Sequence, residues 1–68
     1  MKEHVYHCVA RRQEAHSLPA VGLMYWEGFR TKKYSHAVKR LTWGYAVYSI
    51  RLTQEEMERY GLIESGRD

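Results

Sequence analysis

Three side chains capable of ligating a metal, His4, His7 and Cys8, lie close together near the start of the chain, and His16 and His36 follow. A zinc centre needs three or four such ligands converging at about 2.0–2.3 Å. Residues 3–12 alternate strictly, with Val5, His7 and Val9 on one side and Tyr6, Cys8 and Ala10 on the other, which reads as a β-strand. His4 and Cys8 then share a face about 13 Å apart by strand rise, while His7 points away. No local chelate is expected from that spacing, and neither a metal nor a cofactor is assigned. Nucleophilic chemistry would need Cys8 beside a His base that is itself oriented by a third group, and a small Cys on a strand face reads instead as packing. Glu55, Glu56 and Glu58 are accounted for by a helix start, and no glycine-rich phosphate loop is present. The expectation is a protein that is not an enzyme.

The basic and aromatic residues point elsewhere. Eleven Lys and Arg stand against eight Asp and Glu, a formal charge of +3. The positive charge concentrates in residues 1–51, whereas residues 52–68 are net negative. Six Tyr, two Trp and one Phe are interleaved with it. Tyr25, Trp26, Arg30, Lys32, Lys33, Lys39, Arg40 and Trp43 are therefore the candidate binding residues, an aromatic and basic patch of the residue types that carry interface hot spots. The same patch would suit a polyanion, with Tyr25, Trp26, Phe29, Tyr34 and Trp43 available for stacking on bases.

The elements that must position these residues follow from the hydrophobic pattern. Segments 3–12, 20–30 and 45–52 read as strands. In the second, Val21, Leu23, Tyr25 and Phe29 fall on one face and Met24 and Trp26 on the other, with Gly22 and Gly28 marking a bulge or a close backbone approach. In the third, Ala46, Tyr48, Ile50 and Leu52 oppose Tyr45, Val47, Ser49 and Arg51. Residues 13–19 form a loop ending at Pro19, the only proline. Residues 34–42 fit two patterns. Tyr34, Ala37, Val38 and Leu41 match one helical face, and the same letters alternate as a strand reached through a Thr31-Lys32-Lys33 turn; the helix is the expectation and the strand the alternative. Thr53-Gln54-Glu55-Glu56 is a capping box opening a helix over 54–60, and Gly61 fits its left-handed stop, with Leu62 reaching back to Met57. Residues 64–68 are expected as a frayed tail.

The stretch Tyr48-Ser49-Ile50-Arg51-Leu52-Thr53-Gln54-Glu55-Glu56-Met57-Glu58-Arg59 is similar to the strand-to-first-helix junction of ribbon-helix-helix DNA-binding proteins. That resemblance implies Tyr45, Val47, Ser49 and Arg51 as outward strand positions entering the major groove. It is confined to the junction, because the second, longer helix of that family has no counterpart after Gly61, and membership is not assigned.

The fold expected is thus α+β: one small domain over 1–68, a three- or four-stranded, mainly antiparallel sheet with a C-terminal helix. A single Cys and the absence of a membrane-length apolar run or signal core suggest a soluble, cytoplasmic setting. The expected function is binding that regulates or inhibits a macromolecular partner by occupying its surface, in the manner of a phage- or plasmid-type accessory protein. A protein partner is favoured over DNA or RNA, with nucleic-acid binding as the alternative, no membrane partner, and a homodimer through a sheet edge as a further option.

Overall fold

The alternating segment near the start forms β1, His4–Cys8, in a computed structural model that describes residues 3–65. The chain continues through β2 (Leu23–Ser35), β3 (Arg40–Tyr48), helix α1 (Gln54–Tyr60) and β4 (Leu62–Glu64). The four strands make one antiparallel sheet in the order β2-β3-β1-β4. This is the expected α+β domain.

The even positions of β1 and β3 build the core. Tyr6, Cys8, Ala46 and Tyr48 are fully buried on one sheet face, joined by Leu18, Leu52 and Leu62. Tyr6 and Tyr48 meet edge to face at 5.8 Å, the arrangement that the ring quadrupole favours. Each hydroxyl finds a partner: the Leu52 N–H donates to Tyr6 Oη at 2.8 Å, and Tyr48 donates to the Pro19 carbonyl at 2.6 Å. These bonds tie both crossing loops to the sheet. Helix α1 contributes Met57 and Tyr60 to the same side. Its capping box is formed at Thr53 and Glu56, and Gly61 closes it at φ 67°. A Cβ at Gly61 would collide with that of Ala10, whose neighbour Val9 donates its N–H to the Gly61 carbonyl at 2.9 Å. Gln13, buried in the loop, donates to the Tyr60 carbonyl at 3.1 Å and so satisfies a helix-end acceptor.

Four expectations are corrected. No helix forms over 34–42: Tyr34 pairs with Leu41 and Ser35 with Arg40 across a hairpin. A single helical turn survives at its tip, where the Lys39 N–H reaches the Ser35 carbonyl at 2.7 Å and Lys39 then leaves the helical region at φ 57°. Tyr34 and Leu41 remain half exposed, so the apolar stripe that suggested a helix has nothing to pack on. Nor is there a turn at Thr31-Lys32-Lys33, which lie within β2. Second, Leu23 does not share a face with Tyr25. A bulge at Met24 sets Leu23 opposite Tyr48 and Tyr25 opposite Val47, which inverts the alternation from that point. Third, the strand expected over 45–52 ends at Tyr48 and starts earlier, at Arg40. Ser49 and Arg51, outward positions in the ribbon-helix-helix comparison, therefore lie outside it, and α1 runs directly into β4. Fourth, the tail expected from residue 64 begins inside the sheet: Glu64 pairs with Tyr6 and the Ser65 N–H donates to the Val5 carbonyl at 2.7 Å. Residues 66–68 lie outside the described residues.

Candidate nucleic-acid interface on a basic hairpin arm

Gly44 marks where the β2–β3 hairpin leaves the sheet. Pairing of β1 with β3 stops at Cys8 opposite Gly44, so Arg40–Trp43 has β2 as its only strand neighbour. At the same level Gly28 faces Gly44, and the two backbones approach too closely for a side chain at Gly44, whose φ is 151°. Beyond this pair β2 carries Phe29–Lys32 against Trp43 alone, a wide irregularity, before regular pairing resumes at Lys33 and Thr42. The Thr42 hydroxyl, buried at 1% exposure, donates to the Lys33 carbonyl at 3.3 Å and fastens the arm's base.

This arm gathers five of the eight candidate residues. Arg30 and Lys32 project from the bulge, Lys33 and Arg40 from the paired strands, and Lys39 from the tip, all exposed. Lys32 lies over the Trp43 ring at 5.5 Å, and Lys33 over Phe29 at 4.8 Å. None of the five forms an ion pair among the described residues. Five carboxylates are engaged elsewhere: Glu55 with Arg59, Glu58 with Gln54, Glu56 in the cap, Glu64 with His4 and Glu27 with Tyr25. One signal in the sequence identifies the arm and was not read from it: no Asp or Glu occurs from Gly28 to Gln54.

The three aromatic candidates do not join the cations as one exposed patch. Trp26 and Trp43 are half-buried and packed against the core, Trp26 lying over Gly28. Tyr25 is exposed on the opposite sheet face. There it belongs to a cluster with Tyr45, Phe29 and His7, with ring separations of 6.0–6.3 Å about Tyr45. The Glu27 carboxylate accepts the Tyr25 hydroxyl at 2.6 Å and raises that phenol. Both α1 and the loop leading to β2 pack on the other face.

The residues that could do chemistry are held apart. His4 pairs with Glu64 at 3.5 Å; His7 lies on the aromatic face and Cys8 in the core. Among the described residues no three His, Cys, Asp or Glu converge to hold a metal ion. Burial pushes the Cys8 thiol up to about 12, leaving it protonated at neutral pH. Native protein is accordingly expected to resist Ellman's reagent until denaturant is added; stoichiometric labelling under native conditions would contradict this placement.

His7 is 9% exposed, and its Nε2 has no hydrogen-bond partner. Burial holds the imidazole below its ordinary 6.5. The unfolded chain therefore binds the His7 proton at higher pH than the native one. The stability due to a neutral His7 is complete above about pH 6.5 and is lost as pH falls toward the lower native value. Urea midpoints at pH 7.5 and 5.5 should show this loss, and His7→Phe should reduce it; an unchanged pH response in the variant would contradict the assignment.

Fold and surface together define a small α+β domain that projects a cationic β-hairpin. Residues 5–67 match the family described as Defence against restriction A C-terminal, and the chain belongs to that family. No curated protein and no solved structure matches it. Among the described residues no helix is long and apolar enough to cross a membrane.

Proposed function

We propose that this protein is a non-enzymatic binding domain of a phage-type accessory protein, acting in defence against restriction by occupying an anionic macromolecular surface with its β2–β3 arm. One observation carries the reading: Arg30, Lys32, Lys33, Lys39 and Arg40 stand on one projecting hairpin with no ion-pair partner among the described residues. Such a field attracts a polyanion over roughly a Debye length, about 8 Å at physiological salt, and speeds encounter. Regulation then follows from exclusion, since whatever the arm covers is closed to a competitor. The buried, protonated Cys8, on the core face of β1, supports a role without catalysis.

The sequence alone favoured a protein partner because its nine aromatics, two of them Trp, suit an exposed interface patch. With both tryptophans packed on the core, charge becomes the stronger argument. A protein docking on the Tyr25–Tyr45–Phe29 face is the second reading, supported by the lack of any described helix over those rings.

Two triple variants with equal charge change test the arm. Lys33→Ala/Lys39→Ala/Arg40→Ala should weaken binding to heparin and to mixed nucleic acid by tenfold or more, whereas Arg11→Ala/Arg12→Ala/Arg51→Ala should weaken it by no more than about twofold. Equal losses would mean that net charge, and not the arm, is responsible. If Tyr25→Ala/Tyr45→Ala abolishes capture of a protein partner that the arm variant still binds, the second reading replaces the first.

A further inference from the structure

Resting on the reading above, we propose that the anionic partner is duplex DNA, and that the β2–β3 arm enters its major groove as a two-stranded ribbon. Beyond Gly28 and Gly44 the hairpin has no third strand on either side, so both of its edges are free. A two-stranded ribbon matches the major groove, about 12 Å wide, and not the minor groove, about 6 Å wide. The tip is made of His36, Ala37, Val38 and Lys39, closed by the Lys39-to-Ser35 bond. It carries no large aromatic that would block entry. Charge is distributed as a groove requires: Lys39 and Arg40 at the inserted end, Arg30 and Lys32 on the bulge behind it, where the phosphate ridges would lie. Lys33, Ser35 and Arg40 share one face of the ribbon, while Tyr34 and Leu41 pair on the other, half exposed. The polar face supplies donors suited to base edges, with Tyr34 and Leu41 turned away from the groove floor.

Single strands are the less favoured polyanion because they need open aromatic faces for stacking. On the arm Lys33 lies over Phe29 and Lys32 over Trp43, and only Tyr34, half exposed beside His36, stays open, which is too little for a stacking platform. A duplex needs no such platform.

Fluorescence anisotropy with a mixed-sequence duplex of about 16 base pairs, its single strand and heparin tests this, using wild type and the Lys33/Lys39/Arg40 triple alanine variant. The duplex should bind at least about tenfold more tightly than the single strand at equal salt. A major-groove ligand such as methyl green should compete, and the minor-groove ligand netropsin should not. Equal or tighter binding of the single strand, or competition by netropsin alone, overturns the duplex assignment. If heparin binding still depends on the arm in that case, the proposed function stands and only this inference fails. If the variant binds all three ligands as wild type does, the arm is not the site and both fail. Circular dichroism and melting of the variant, expected to match wild type because all three side chains are exposed, exclude unfolding as the cause of a loss.

Discussion

Gly44→Ala is expected to remove most of the domain's stability. Gly44 is buried at the crossing of three strands, opposite Cys8 on β1 and Gly28 on β2. An added Cβ would collide with the Glu27 carbonyl oxygen and stand 3.0 Å from both Gly28 Cα and the Trp26 ring. Backbone atoms inside a hydrogen-bonded ladder cannot rotate away as a side chain could. The φ of 151° adds strain for any residue with a Cβ. Overpacking of about 1–3 kcal/mol and backbone strain of about the same size together approach the whole stability expected of so small a domain, about 3–10 kcal/mol. Urea titration followed by tyrosine and tryptophan fluorescence measures it. A loss under about 1 kcal/mol would mean that β2 and β3 do not meet at these glycines.

Removing one oxygen from the core should separate its two tyrosines. Tyr6→Phe leaves the Leu52 N–H with no acceptor at a fully buried site, and an orphaned buried donor costs about 1–3 kcal/mol. Tyr48→Phe removes a bond to the Pro19 carbonyl, which lies in a half-buried segment that water can reach. That variant should lose about 1 kcal/mol. For a chain of this size each kcal/mol lowers the melting temperature by about 4–8 °C, so the two variants are distinguishable by calorimetry. The reverse order of effects would show that the loop before α1, and not the loop before β2, is the solvated one.

The parts of this molecule that the sequence made legible are those governed by local rules. Thr53 and Glu56 announce the helix start, Gly61 its stop, and the alternation around Tyr6, Cys8, Ala46 and Tyr48 the core face. Features that arise between strands were not legible. The bulge at Met24 shifts one strand by a single residue and moves Leu23 to the other face; Gly22 marked a bulge or close approach nearby, but not which residue slips out of register. Residues 34–42 satisfied two periodicities, and the decision fell to partner availability: Leu41 had a strand opposite and no surface on which a helix could rest. Three residues, Leu62–Glu64, are too few to show alternation, yet β1 accepts them as an edge strand. At the candidate site the cations were found by type and clustering. The burial of Trp26 was not, because it depends on two glycines in adjacent strands leaving room for its indole.

The salt dependence of duplex binding tests the central claim most directly. If the five cations Arg30, Lys32, Lys33, Lys39 and Arg40 between them neutralise five phosphate charges, the logarithm of the association constant should fall linearly with the logarithm of salt, with a slope of about −4.5. The Lys33/Lys39/Arg40 triple alanine variant should make that slope shallower by about 0.9 for each residue removed. A slope near zero in wild type, or one that the variant leaves unchanged, would contradict the account of the arm as the binding surface.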